Sequence, residues 1–256
     1  METNWRFVYQ QNMYWGSCEP CTASVFATLV RDGVVNWKIS MRQAVRRAVS
    51  EGQPLDRFAA DGDFQRWCFK KQARPRAGEE FAQLATAAKL LQWGEELKWS
   101  LPDFVFAVSE FGLVPRLDRS GNPLLDDEGN PKMYHRRQQS NIRHLSGLFM
   151  SDYDHLPFPP RELYEMTLRQ GFPWKVCLAH LTSSGEGLRL VCECLPGAGN
   201  IADQQYLQAQ ELGMLDVRGV TGKPVTDNSC INADKLSFCP RLQDILFIDE
   251  DLLFHF

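Results

Sequence analysis

The chain has 256 residues, of which 44% are hydrophobic and 23% charged, and its formal net charge at pH 7 is −4. The length suits one large domain or two small ones, and the composition excludes a disordered chain. The acidic balance excludes a global positive field that attracts nucleic acid, so any such contact requires local basic patches.

Membrane-spanning and export segments are not expected. No apolar run approaches the ~20 residues that cross a bilayer, and the N-terminal segment METNWRFVYQQNMYW lacks the basic and apolar regions of a signal peptide. We therefore expect a cytoplasmic protein without a membrane partner. In that compartment the eight cysteines are expected to be thiols rather than disulfides.

Two pairs of cysteines lie close together in the sequence. Cys18 and Cys21 form a C-x-x-C motif, and Cys192 and Cys194 alternate on a predicted strand. Four thiolates can hold one zinc ion if the two pairs meet. A packed strand face explains Cys192 and Cys194 equally well, and no second C-x-x-C occurs at zinc-ribbon spacing. A structural zinc is therefore not expected.

The first hundred residues are predicted to be mainly helical. Apolar residues recur at helical spacing in three segments, 22–32, 39–50 and 78–98. Gly33 and Gly52 are expected to end the first two helices, and Gly94 to interrupt the third. No internal repeat and no Gly/Ser-rich linker is evident, so the chain is expected to form one unit.

The remaining residues are predicted to alternate between strands and helices. A strand is expected over 100–112, and an exposed hairpin or loop over 118–133, where two Gly-Asn-Pro turns occur. From residue 141 the order is strand, helix, hairpin, helix and strand, over 141–154, 159–171, 172–195, 198–213 and 244–256. This order predicts an α+β fold with helices against a mainly antiparallel sheet, and it can form a split βαβ, or RRM-like, sheet.

The first candidate site is the pair Asp152 and Asp154 at the end of a predicted strand. Residues two apart on a strand share a face, so both carboxylates can reach one cation. Aspartates at strand ends also commonly start turns.

Two other enzyme classes use D-x-D motifs. Haloacid-dehalogenase-type phosphatases use the motif D-x-D-x-T, and this chain has Leu156, after His155, at the position of the threonine. Glycosyltransferases are not excluded by the motif, although the hairpin-rich order disfavours their parallel sheet.

The second candidate site is the segment TSSGEGLRLV, residues 182–191. Ser184 offers a hydroxyl, and Gly185 and Gly187 allow the main chain to approach a phosphate closely. Arg189, on the returning strand, can form a bidentate pair with phosphate oxygens. A glycine-rich hairpin turn followed by a solvated arginine is the alternative interpretation.

The third candidate site is the segment VTDNSCINADKLSF, residues 225–238. It offers Asp227 and Asp234 as further carboxylates and Lys235 as a cation beside them. Two-metal nucleotidyl transfer requires about three carboxylates, together with cations for the triphosphate. A polar loop whose charged residues face water is the alternative interpretation.

In this order the three sites resemble the catalytic core of the archaeo-eukaryotic primase superfamily. Within it, the chain is similar to primase-polymerases of mobile elements in the family of the N-terminal domain of virulence-associated protein E (VirE). Segments 100–111, 144–156 and 226–254 carry this similarity. The resemblance implies one catalytic core over 1–256, with an N-terminal helical and α/β portion (1–100) and a metal-binding RRM-like portion (101–256).

The resemblance also implies roles for single residues. Asp152, Asp154 and Asp227 would hold two Mg²⁺ or Mn²⁺ ions, with Asp234 as the rival third carboxylate. The nucleotide would be bound by Ser184, Gly185, Gly187, Arg189 and Lys235. Many superfamily members have histidine where this chain has Arg189, and an arginine there implies binding rather than proton transfer.

The implied function is a DNA primase-polymerase, a nucleotidyltransferase that forms phosphodiester bonds on a single-stranded DNA template. Its partners would be nucleoside triphosphates, the template and a helicase domain or protein, in the replication of a mobile element. Basic clusters such as the arginines at 42, 46 and 47 offer template contacts, although a solvated helix face explains them as well. The alternative is a catalytically weak or inactive module that binds nucleic acid or nucleotide, which the net charge of −4 favours.

Overall fold

The computed structural model describes residues 5–13, 16–75 and 80–255, which form an α+β fold whose strand pairs are antiparallel. The helices are α1 (Ala23–Arg31), α2 (Gly33–Ser50), α3 (Gly62–Lys70), α4 (Ala87–Trp99), α5 (Pro160–Arg169), α6 (Ile201–Glu211) and α7 (Glu250–Phe254). The strands are β1 (Val8–Gln10), β2 (Glu19–Pro20), β3 (Asp103–Val105), β4 (Val108–Phe111), β5 (Leu113–Pro115), β6 (Met133–His135), β7 (Ile142–Leu145), β8 (Leu148–Tyr153), β9 (Val176–Leu181), β10 (Leu188–Glu193), β11 (Ser237–Phe238) and β12 (Ile245–Ile248). The predicted α+β class with helices and an antiparallel sheet is confirmed.

The sheet that carries the candidate site has the strand order β12-β9-β10-β8. β8 and β9 are joined through α5 and are both antiparallel to β10, which lies between them, so the predicted split βαβ arrangement is present. The order of the strands, however, differs from that of an RRM-like sheet. In an RRM-like sheet the last strand lies beside the first, whereas β12 pairs with β9. The outer edge of β8 instead receives a short segment, through an isolated antiparallel bridge between Tyr153 and Thr226.

A second sheet joins the two portions of the chain that the sequence separates. Its order is β11-β3-β1-β2, so it combines two strands from residues 1–100 with two from residues 101–256. One hydrophobic cluster follows the same pattern, since Phe7, Phe26 and Ile39 pack with Leu148 and Leu253. Residues 1–100 therefore share both a sheet and a core with residues 101–256.

The three N-terminal helices differ in detail from the prediction. The helix predicted over 39–50 begins earlier, at Gly33, as α2, because the side chain of Asp32 accepts hydrogen bonds from the N–H groups of Val34 and Val35. The helix predicted over 78–98 begins at Ala87, after a 3₁₀ turn, and part of the predicted segment lies outside the described residues. Gly94 does not interrupt α4. It is buried in the helix, where a Cβ atom would lie 3.7 Å from Cγ of Arg42 on α2.

The strand predicted over 141–154 is two strands, β7 and β8. Gly147, at φ +72°, separates them, in a backbone conformation that non-glycine residues rarely adopt. The hairpin and the helix α6 are confirmed, and Asn200 forms a capping box with Asp203 at the start of α6.

The exposed segment 118–133 contains an internal repeat that the sequence analysis missed. Two octapeptides, LDRSGNPL at 117–124 and LDDEGNPK at 125–132, form successive turns. The carboxylates of Asp118 and Asp126 each accept two backbone N–H groups of their own turn. Loops built on such Asx turns need no apolar periodicity, which explains why the repeat escaped a search for helices and strands.

Two further expectations can be compared with the described residues. None of the helices among them is long and apolar enough to cross a membrane. All eight cysteines are free thiols, as expected, and seven of them are buried. Cys18, Cys21, Cys192 and Cys194 do not form a group with metal-ligand spacing among the described residues.

The second sheet buries one carboxyl group whose titration should be visible in the stability of the fold. Burial raises the pKa of Asp103 to about 7, and neither carboxylate oxygen has a hydrogen-bond partner among the described residues. A raised folded-state pKa means that the folded protein binds the proton more tightly, so the free energy of unfolding should fall as the pH rises from about 4 to about 7.

Asp103→Asn should remove this part of the pH dependence, by an amount on the order of 4 kcal/mol for a shift of this size. Urea unfolding of both proteins at a series of pH values between 4 and 8 measures the difference. Parallel stability curves for the two proteins would contradict the assignment.

Candidate functional site

The candidate site begins with a row of side chains across β8, β10 and β9. In the strand register Arg189 lies opposite Asp152 on one side and opposite His180 on the other. Directly opposite residues share a face of the sheet, so the three side chains project in the same direction. All three are buried, which is unusual for charged groups and requires that they satisfy one another.

Backbone hydrogen bonds bring Asp227 to the end of β8. The N–H of Asp227 donates to the carbonyl of Asp152 at 2.9 Å, and the N–H of Asp154 donates to the carbonyl of Val225 at 2.8 Å. These bonds add segment 225–227 to the open edge of β8. The structure thus places Asp227, of the two alternatives, beside Asp152. Asp234 does not line the cleft that Asp152, Asp154 and Asp227 line, and its backbone carbonyl accepts a hydrogen bond from Arg137.

Asp152 and Asp227 form a group with Cys230. One donor atom from each of the three side chains lies within 4.8 Å of the others, and no other group of this kind occurs within the residues that the structure describes. Cys230 is held there by the 3₁₀ turn that Asp227 caps, since its N–H donates to the carbonyl of Asp227 at 3.1 Å. The sequence analysis missed Cys230, because a lone cysteine in a polar loop carries no spacing signal.

The buried oxygen Oδ1 of Asp152 fits a cation. It has no hydrogen-bond partner among the described residues, although the side chain is only 3% exposed. An unpaired carboxylate oxygen is costly in a protein interior, and a bound cation would remove that cost. The donor set of this group therefore suits a divalent ion.

Asp154 lies at the same cleft but outside the group of three. Its Oδ1 lies against the hairpin turn, where a Cβ atom added to Gly187 would come within 2.6 Å of it. This close approach is the reason why position 187 needs a glycine. Asp154 is thus positioned by the hairpin, whereas Asp152 and Asp227 are positioned by the edge of β8.

Arg189 occupies a different place from the phosphate-binding role that the sequence suggested. Its Nη2 forms a buried ion pair with Oδ2 of Asp152, and its Nη1 donates to Oγ of Ser237 at 3.0 Å. Burial lowers its pKa, but Asp152 more than offsets this effect, so the pKa of Arg189 is raised and the guanidinium stays charged. Arg189 therefore neutralises and orients Asp152, and only its edge faces the cleft.

The row ends at a histidine that the sequence analysis also missed. Oγ of Ser237 lies 3.4 Å from Nε2 of His180, and Nδ1 of His180 donates to the carbonyl of Leu181 at 2.8 Å. Burial and the charge of Arg189 lower the pKa of His180 to about 3, so the ring is neutral. Period-two patterning marks His180 as a strand residue, but only the strand register shows that it faces Arg189.

The turn of the hairpin is folded on itself rather than open. The N–H of Gly185 donates to the carbonyl of Thr182 at 2.8 Å, and the N–H of Glu186 donates to Oγ of Ser184 at 3.2 Å. Glu186 is also paired with Arg46 of α2 at 2.6 Å. The amide of Gly185 is therefore engaged inside the turn and does not point freely toward a phosphate. Ser184 lines the cleft, whereas Gly185 lies against Gln43.

Helices α2 and α4 form the opposite wall of the cleft, which has a volume of about 300 Å³. Its charged lining residues are Arg42, Arg46, Glu95, Lys98, Asp152, Asp154, Arg189, Asp227 and Lys235. Three cations are paired with three of these carboxylates, since Arg42 contacts Glu95, Arg189 contacts Asp152 and Lys235 contacts Asp227. Burial and the neighbouring Arg42 lower the pKa of Lys98. The sequence analysis missed Lys98 because its neighbours lie far away along the chain.

No protein-family model, no curated protein and no solved structure matches the chain. The similarity to primase-polymerases therefore rests on the quoted residues, and the functional proposal rests on the geometry of the cleft.

The buried pair of Arg189 and Asp152 predicts strongly coupled effects on stability. Arg189→Met should lower the free energy of unfolding by about 3–5 kcal/mol, because it leaves a buried carboxylate without its partner. The double variant Asp152→Asn/Arg189→Met should lose less than the sum of the two single variants. Urea unfolding of the four proteins measures the coupling. A loss below about 1 kcal/mol in Arg189→Met would show that the pair does not hold the site together.

Proposed function

We propose that the protein is a metal-dependent nucleotidyltransferase of the primase-polymerase type. The observation that carries the proposal is the meeting of Asp152 and Asp227 at the end of β8, with an unpaired buried oxygen on Asp152 and basic residues of two helices lining the same cleft. Paired carboxylates facing cations are the arrangement that nucleotidyl transfer requires. The order of the three sequence segments supports the same assignment.

The carboxylates of Asp152, Asp154 and Asp227 would hold one or two divalent ions. A Mg²⁺ or Mn²⁺ ion held by these residues would supply Lewis-acid activation of the attacking 3′-hydroxyl and neutralisation of the departing pyrophosphate. Arg189 keeps the Asp152 carboxylate in one orientation, and Lys235 does the same for Asp227 at 3.0 Å. Both residues therefore act as positioning residues toward the cation site.

Lys98, Arg46 and the hydroxyl of Ser184 are the groups of the cleft that suit a triphosphate. All three line the cleft, and they project from α2, α4 and the turn of the β9–β10 hairpin. A volume of about 300 Å³ is at the lower end of the range for small-molecule sites. A single-stranded DNA template, a helicase partner and a place in the replication of a mobile element rest on the resemblance alone.

One observation favours the second candidate function, a nucleic-acid- or nucleotide-binding module without catalysis. Asp152 is already neutralised by Arg189, and Asp227 by Lys235, so the site attracts a hard cation less strongly than two free carboxylates would. A protein that binds nucleotide without turnover would show this feature.

Primer extension separates the two functions. The full chain is incubated with Mn²⁺ or Mg²⁺, labelled nucleoside triphosphates and single-stranded DNA, with and without a primer. Asp227→Asn and Asp154→Asn should lower product formation at least about a hundredfold, since each removes charge at the cation site. Asp234→Asn is the matched control and should keep activity within a few-fold.

Binding of DNA or nucleotide without product, across both metals and all templates, would reject the enzyme in favour of the module. Equal losses in Asp227→Asn and Asp234→Asn would instead contradict the assignment of Asp227 as the third carboxylate.

Lys98 gives a second prediction about the same cleft. Lys98→Met should raise KM for the nucleotide about tenfold, because a charge-assisted contact to phosphate is lost, with a smaller effect on kcat. Lys89→Met on the same helix is the control, since Lys89 does not line the cleft. Steady-state kinetics with varied nucleotide, or nucleotide binding by the module, measures the change. Equal effects of the two substitutions would contradict a role for Lys98 at the cleft.

A further inference from the structure

The group Asp152, Asp227 and Cys230 contains a sulfur donor, which the requirements for Mg²⁺ do not explain. All three donor atoms lie within 4.8 Å of one another. Two donors that share one ion at distances of ~2.0–2.3 Å lie no more than about 4.6 Å apart. The three donor atoms therefore lie near enough to share a single ion after small side-chain movements, and Cys230 belongs to the candidate cation site by position.

The charges around this group disfavour a hard cation. Asp152 is paired with Arg189, and Asp227 with Lys235, so two negative and two positive charges already cancel. Mg²⁺ depends on anionic oxygen ligands and keeps much of its water shell, so two neutralised carboxylates hold it weakly. A cation that can displace the proton of a thiol gains a third negative charge from Cys230.

The surroundings of Cys230 are those of a ligand rather than of a reactive surface thiol. The side chain is buried, and this burial, together with the carboxylates of Asp152 and Asp227, raises the pKa of the Cys230 thiol, so the sulfur keeps its proton until a cation displaces it. Oδ1 of Asp152, also buried, has no partner among the described residues and remains available on the same group. One soft and two hard donors in a small site suit Zn²⁺, Co²⁺ or Cd²⁺, and they bind Mn²⁺ more weakly.

We infer that the site binds a thiophilic divalent cation through the thiolate of Cys230 and the carboxylates of Asp152 and Asp227, in preference to Mg²⁺. On binding, the S–H bond of Cys230 breaks and the sulfur keeps the electron pair, which it donates to the cation. The proton passes to water, and nothing is oxidised or reduced. The inference deepens the proposed function, since it concerns the cation of the same cleft, but it requires no turnover.

Metal titration of the full chain tests the inference without nucleotide or DNA. The protein is freed of metal with a chelator and titrated with Cd²⁺ or Co²⁺, while the thiolate-to-metal charge-transfer absorption is recorded. One equivalent should bind, with release of a proton into weakly buffered solution. In competition experiments Zn²⁺ should displace the bound Cd²⁺ readily, Mn²⁺ should displace it poorly, and Mg²⁺ should displace it least.

Cys230→Ala should abolish the absorption band and weaken Cd²⁺ binding at least about tenfold. Cys68→Ala is the matched control, since Cys68 is equally buried but lies in the helical core cluster, and it should leave both unchanged. Cys230→Ser should lose the band while keeping Mn²⁺ affinity within a few-fold, because a hydroxyl remains as an oxygen donor. Circular dichroism verifies that each variant is folded.

A band that persists in Cys230→Ala, or Mg²⁺ that competes as well as Zn²⁺ in the unmodified protein, would overturn the inference. The competition by Mg²⁺ is measured on the unmodified protein, so this test does not require that any variant folds. Thiolate binding without primer extension would reject the proposed function but support the inference. Primer extension by a protein whose bound metal shows no charge-transfer band would support the proposed function and reject the inference.

Discussion

The buried ion pair between Arg189 and Asp152 is the interaction on which the rest of the site depends. Two charged groups on neighbouring strands are 8% and 3% exposed, and such burial is tolerated only when their hydrogen bonds are satisfied. Ser237 meets part of this need from the second sheet, and neutral His180 closes the row. The ion pair connects β8 with β10, and the contacts of Ser237 and His180 extend this connection to β11 and β9.

The same pair sets the electrostatics of the cleft. Because Arg189 neutralises Asp152 and Lys235 neutralises Asp227, the candidate cation site is not the strongly negative pocket that three free aspartates would form. The proposed preference for a thiophilic cation therefore depends on the donor that carries no charge before binding, the thiol of Cys230. Helices α2 and α4 supply further cations, so the cleft combines a balanced floor with a basic wall.

The sequence predicted the elements of the second half well, because each has a local signal. The hairpin β9–β10 follows from two apolar runs around a glycine-rich turn, and α6 follows from its N-cap at Asn200. The sequence analysis was weaker where tertiary contacts override local preference. Gly94 remains helical because α2 packs against it, and β12 joins β9 rather than β8 because segment 225–227 occupies the other edge.

By itself, the sequence determined the α+β class, the D-x-D at the end of a strand, and the presence of a third acidic loop that contains Asp227, Asp234 and Lys235. Only the tertiary structure decided which of the two aspartates faces Asp152, because that choice rests on hydrogen bonds between backbones more than 70 residues apart. It also decided that Arg189 turns inward and that Cys230 joins the carboxylates. Both outcomes depend on strand register and on burial, which set the distances and charges at a site and which leave no periodic trace along the chain.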